Sequence, residues 1–148
     1  MNPIHVLLVE DNPADADLTR EGFAAGVLPV DLSVTKSGIE ACDFIHKRGR
    51  YSSAATPDLI LLDLNLPGLD GRAVLKEIKQ HSELRRIPVT ILTSSTADGD
   101  INQTYDLGAN CYLVKPIDFK SFRGIMNAIE GFWFETVKLP QIEAGGEK

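Results

Sequence analysis

The chain has 148 residues, the usual size of one domain, so a single core is expected and two full domains are not. Its 43% hydrophobic and 24% charged residues describe a soluble globular protein, and fifteen Lys and Arg against twenty-one Asp and Glu give a net charge of −6, opposite to the basic footprint of a nucleic-acid-binding module. The longest apolar runs, such as Leu59 to Leu62, fall far short of the roughly 18 residues of a membrane span, and the start reaches Glu10-Asp11 too soon for a secretory signal. A cytoplasmic protein is expected, with no membrane and no nucleic acid among its partners.

Residues 4–9 (IHVLLV) read as a first strand, apolar without clean alternation and therefore covered on both faces. Residues 14–25, with Ala14, Leu18, Phe23 and Ala24 among charges, suit a helix. Residues 30–35 (VDLSVT) alternate and give a second strand. Ser37-Gly38 opens a helix with Ile39, Cys42, Ile45 and His46 on one side, ending near Gly49. The loop from Arg50 to Pro57 is longer than the 2–6 residues usual for such a connection. Residues 58–63 (DLILLD) form the most hydrophobic strand, and Pro67-Gly68 punctuates the loop after it. Leu69, Val74, Leu75 and Ile78 mark a helix to about Gln80. Residues 87–93 (IPVTILT) are a fourth strand, a helix over 100–107 ends at Gly108, and residues 110–114 (NCYLV) are a fifth strand stopped by Lys115-Pro116. A last helix is predicted from about Asp118 to Phe134 or beyond, with residues 140–148 a disordered tail.

Five alternations of strand and helix imply a parallel sheet with helices on both faces. Ligands of such sheets bind beyond the carboxyl ends of the strands. Those ends carry Glu10 and Asp11 after the first strand, Asp63 after the third, Thr93 after the fourth and Lys115 after the fifth. Gathering three carboxylates is costly, since two unit charges 4 Å apart repel by roughly 4 kcal/mol at an effective dielectric near 20. A divalent cation offsets that repulsion. Oxygen ligands without His or Cys suit Mg²⁺, which typically bridges to phosphate. Lysine adds a compensating charge and a donor for phosphate oxygens.

Glu10-Asp11, LDLNLPGLDG from Leu62 to Gly71, Thr93 and Lys115-Pro116 together resemble the receiver domain of two-component response regulators, over about residues 4 to 130. The long loop before PDLILLDLNLP, the stretch YDLGANCYLVKP and the ending FWFETVKLP resemble the single-domain response regulators of bacterial phytochrome histidine kinases. The resemblance implies a flavodoxin-like, doubly wound α/β fold of strand order 2-1-3-4-5, with the receiver domain over residues 1–139. It implies a phosphorelay function, with a sensor histidine kinase of the phytochrome kind as donor and an unidentified downstream protein as output. Asp63 would be the phosphoacceptor. Glu10, Asp11, Asp63 and the backbone carbonyl of Asn65 would hold Mg²⁺. Lys115 would contact the phosphoryl oxygens, Pro116 would carry a cis peptide placing that lysine, and Thr93 and Tyr112 would move as the switch. Such a protein catalyses only its own phosphorylation and dephosphorylation. Glu10 departs from the aspartate many receivers carry.

Two rivals remain at this stage. A haloacid-dehalogenase-type phosphatase also uses a strand-end aspartate and Mg²⁺, but it wants a second acid two residues on, where Asn65 stands. A constitutive binding module needs none of the site, which is complete. His5, His46 and His81 have no partner spacing for zinc, and Cys42 and Cys111 make neither a disulfide framework nor a CxxC site. In the last helix Phe119, Phe122, Met126, Ile129 and Trp133 follow core spacing. Ile125, Phe132, Phe134 and Val137 exceed what that face requires and are expected at a homodimer interface.

Overall fold

The computed structural model describes residues 3–142. Strands β1 (Ile4–Val9), β2 (Val30–Thr35), β3 (Leu59–Leu62), β4 (Val89–Thr93) and β5 (Cys111–Val114) alternate with helices α1 (Pro13–Ala25), α2 (Gly38–Ile45), α3 (Gly71–Gln80), α4 (Asp98–Asp106) and α5 (Phe119–Ile129). All strand pairs are parallel, in the order β2-β1-β3-β4-β5, as the sequence reading expects.

The pleat explains why the central strands are apolar on both sides. Leu7, Val9, Ile60, Leu62, Val89 and Ile91 face one core with Ala41, Phe44 and Ile45 of α2 and Val74, Leu75 and Ile78 of α3. Their neighbours Val6, Leu8, Leu59, Leu61 and Leu92 face a second core with Phe23 of α1 and Phe122, Met126 and Ile129 of α5. No alternation survives in the sequence because no face is wet.

Local signals set the helix starts. Asn12 caps α1, its side-chain oxygen accepting from the amides of Ala14 and Asp15, with Pro13 in the first turn. Asp70 and Asp118 cap α3 and α5 in the same way. The turn between β3 and α3 needs glycine twice. Gly68 has φ +70°, and a Cβ at Gly71 would run into the backbone carbonyl of Asp63.

Several expectations change. The buried face of α2 is Gly38, Ala41, Phe44 and Ile45; Ile39 points outward at 60% exposure. Phe119, in the Asp118-capped first turn of α5, is likewise exposed. The last helix does not continue in one geometry. After Ile129 it widens into a π-helical segment, Glu130–Thr136, where the Val137 amide donates to the Phe132 carbonyl at 3.0 Å. The extra residue per turn resets the helical phase, and Trp133 and Phe134 both pack against the α1–α5 core. Of the predicted tail, Ile142 packs against the α2–α3 core; residues 143–148 lie outside the described residues. Among the described residues, no helix is long and apolar enough to cross a membrane.

Candidate functional site

The site is built by extending the sheet one residue past its last paired positions. The Glu10 amide donates to the Thr35 carbonyl at 2.9 Å, the Asp63 amide to Val9 at 3.1 Å and the Lys115 amide to Thr93 at 2.8 Å. Three functional residues on three strands are thereby fixed in backbone register before any side chain is considered. Their side chains converge on an open cleft of about 580 Å³, lined also by Asp11, Asp15, Asn65 and Ser94.

Glu10, Asp11 and Asp63 each place a carboxylate oxygen within 4.8 Å of the others. All three ligands are hard oxygens, and Asp11 is exposed while Glu10 and Asp63 are buried. Such a set fits a hard divalent cation that keeps part of its water shell. A cation there would neutralise charge on the oxygens of a phosphoryl group. The Asn65 amide donates to Asp63 Oδ1 at 3.2 Å, which orients that carboxylate.

Lys115 Nζ meets Glu10 Oε1 at 2.6 Å, Asp15 Oδ2 at 2.9 Å and Asp63 Oδ2 at 3.0 Å. Burial works to lower the Lys115 pKa, but its bonds to Glu10, Asp15 and Asp63 outweigh it and hold the ammonium above its ordinary range. Burial pushes the Glu10 carboxyl up to about 7 even with Lys115 beside it. The Lys115–Pro116 peptide is trans, as are all peptides among the described residues, which corrects the cis bond expected at Pro116. Trans is favoured at X–Pro by about 0.5–1 kcal/mol. The lysine needs no unusual turn here, because the strand fixes its backbone and carboxylates fix its ammonium.

Thr93 is fully buried, and its Oγ1 has no hydrogen-bond partner. The Tyr112 hydroxyl donates to the Ser95 carbonyl at 3.0 Å, so the expected switch tyrosine grips the loop that Thr93 begins. Ser95 Oγ donates to Asp100 Oδ2 at 2.6 Å, and Arg72 of α3 pairs with the same carboxylate.

Glu10, Asp11, Asp63 and Lys115 therefore come together as expected, with Asn65 and Ser94 lining the same cleft and Thr93 buried at the end of β4, outside the lining. Sequence reasoning missed Asp15, Arg72 and Asp100. Asp15 had a signal: a capped helix starting directly after β1 carries its first-turn side chains to the strand ends. Ile125 and Phe134 of the expected interface lie against their own core, Val137 is half-buried, and Phe132 is half-exposed, edge-on to Trp133 at 5.0 Å. Among the histidines, His46 Nε2 pairs with Glu77 at 2.9 Å, away from the site.

A doubly wound parallel sheet with an acidic triad, a lysine and a buried hydroxyl at its carboxyl edge defines the receiver class of signalling domain. Residues 6–127 match the model of the response regulator receiver domain, and the chain belongs to that family. It is 44% identical over 138 residues to response regulator Rcp1 of Synechocystis, covering 93% of this chain and 94% of that one. The phosphorylated cyanobacterial phytochrome response regulator RcpA superposes with a TM-score of 0.92 at 43% identity, covering 95% of this chain and all of that one. The Mn²⁺-bound form of Rcp1 superposes with a TM-score of 0.90 at 44% identity, covering 94% of this chain and 100% of that chain.

Proposed function

We propose that this receiver is a phosphorylation-switched response regulator that takes a phosphoryl group onto Asp63, with Mg²⁺ bound, from a sensor histidine kinase of the phytochrome kind. An Asp63 carboxylate oxygen attacks phosphorus, and the bond between phosphorus and the kinase histidine nitrogen breaks, its electron pair leaving with that nitrogen. Glu10, Asp11, Asp63 and the Asn65 carbonyl would hold the metal, which would neutralise charge on the phosphoryl oxygens; Lys115 and Thr93 receive those oxygens. Phosphoryl transfer needs little beyond such positioning and charge neutralisation. The carrying observation is the convergence of the Glu10, Asp11 and Asp63 carboxylates at the strand ends with Lys115 bonded to two of them, and the Thr93 hydroxyl at the end of β4 is buried without a partner. A bound phosphoryl group supplies the acceptor it lacks. The likeness to RcpA and Rcp1 supports the phytochrome assignment.

The protein acts in the cytoplasm, catalyses only its own phosphorylation and dephosphorylation, and passes its signal to a downstream protein. It forms a homodimer anchored on Phe132, whose half-exposed ring supports that assembly, while Ile125 and Phe134 stay with their own core.

Incubation with a small phosphodonor and Mg²⁺, read by intact mass, tests the reading. One stable phosphate is expected on the wild type and none on Asp63→Asn with an unchanged fold. Rapid turnover of many phosphate esters would favour the phosphatase, and no uptake would favour a constitutive binding module.

A further inference from the structure

The Lys115 ammonium has three N–H donors and three carboxylate partners within 3.0 Å. Two of them, Glu10 and Asp63, belong to the acidic group suited to a divalent cation. Asp15 does not belong to it. It stands in the first turn of α1, on a different element from the other two partners, and its side chain is only 26% exposed. The Asn12 cap fixes its backbone, the Asp15 amide donating to Asn12 Oδ1 at 3.2 Å. No other side chain among the described residues is within bonding distance of the Asp15 carboxylate, so Lys115 is its one partner.

A doubly charged ion on Glu10, Asp11 and Asp63 would stand beside a buried ammonium, and like charges at such range repel by kilocalories. Glu10 and Asp63 would then have to neutralise both cations. We propose that Asp15 is a positioning residue for phosphoryl transfer: it carries the counter-charge of Lys115, so that Lys115 and a divalent cation occupy one site together. This deepens the receiver reading, on which it rests. Asp15 touches neither acceptor nor metal and works only through Lys115. Because the contact joins α1 to the end of β5 across 100 residues of chain, it also ties the start of the first helix to the end of the last strand.

A double-mutant cycle read by Mn²⁺ binding, followed by electron paramagnetic resonance of the full chain at pH 8, isolates the Asp15–Lys115 contribution. Asp15→Asn should weaken Mn²⁺ about fivefold in the wild-type background. In a Lys115→Met background, where no ammonium needs a counter-charge, the same change should cost less than twofold. Asp17→Asn, which removes an exposed carboxylate two residues along the same helix, should cost less than twofold in either background. Asp15→Glu should recover most of the loss. Equal losses in both backgrounds, or equal losses for Asp15 and Asp17, would reduce Asp15 to a general field effect and overturn the proposal. Unchanged binding by Asp15→Asn would overturn it as well. A wild type that binds no Mn²⁺ would overturn the receiver chemistry itself, and the two failures are thereby distinguishable.

Discussion

A buried hydroxyl without a partner costs about 1–3 kcal/mol, and Thr93 Oγ1 is in that position at the end of β4. Thr93→Val removes the hydroxyl and keeps the shape. It should stabilise the unphosphorylated protein to urea by on the order of 1 kcal/mol while blunting the conformational response to beryllofluoride. A destabilised Thr93→Val protein would mean that the hydroxyl is already satisfied. Glu10 sets a pH dependence. Burial raises its pKa to about 7 from an ordinary 4.5, so the folded protein binds that proton more tightly than the unfolded chain. Its contribution to metal-free stability is therefore complete below pH 4.5 and lost as pH rises to about 7. Metal binding runs the other way, because the ligand must be ionised. With a pKa of about 7, the Glu10 carboxylate fraction grows from about a tenth at pH 6 to about nine tenths at pH 8. Mg²⁺ affinity should rise close to tenfold over that range, and Glu10→Gln should flatten the profile. Glu10 and Asp63 were legible as residues because strand ends in such a sheet are known in advance. The Glu10 pKa was not, because burial is a property of the packed cleft.

At the scale of elements, the loop from β4 to α4 is held from three sides. Tyr112 of β5 donates to the Ser95 carbonyl, Ser95 donates to Asp100 of α4, and Arg72 of α3 pairs with Asp100 and donates to Gln103 Oε1 at 2.9 Å. The Ser95 and Arg72 bonds keep the Asp100 carboxyl below its usual range. Phosphorylation that draws Thr93 inward must carry this loop with it. Arg72→Ala should therefore speed hydrogen exchange at the first amides of α4 and speed labelling of Asp63 by a small phosphodonor, without altering Mn²⁺ affinity. Slower labelling would show that Arg72 supports the reactive arrangement instead of restraining it. The elements themselves were readable from capping residues and apolar runs. Which helix reaches which loop was not, since Arg72 and Asp100 are separated by 28 residues and meet only through the packing of α3 and α4. The same holds for α2, whose short length leaves two helical phases open and whose packing against β2 and α3 selects Phe44 inward and Ile39 outward.

For the whole molecule, the aromatic segment after α5 divides its work between core and surface. Phe134 lies 5.9 Å from the Phe23 ring, whereas Phe132 is half-exposed. Phe134→Ala should lower the stability of the single chain by on the order of 2 kcal/mol, read by urea unfolding at dilute concentration. Phe132→Ala should leave that stability unchanged and instead weaken self-association, seen by sedimentation, by on the order of 2 kcal/mol if the ring anchors a two-fold interface. A wild type that stays monomeric at high micromolar concentration, with and without phosphate, would leave Phe132 as surface.

The sequence by itself determined the alternation of elements, the parallel sheet they imply and the chemistry at the strand ends, while the order of the strands entered only through the resemblance to receiver domains. Those follow from local periodicity, capping and the rule that ligands sit beyond strand carboxyl termini. Tertiary structure decided what depends on approach between distant segments. It set the inward phase of α2, the π-helical segment that turns Trp133 and Phe134 to the core, the trans bond at Pro116 and the packing of Ile142. It also decided that an aspartate of the first helix would share the lysine of the last strand, because only folding brings charges 100 residues apart to within 2.9 Å.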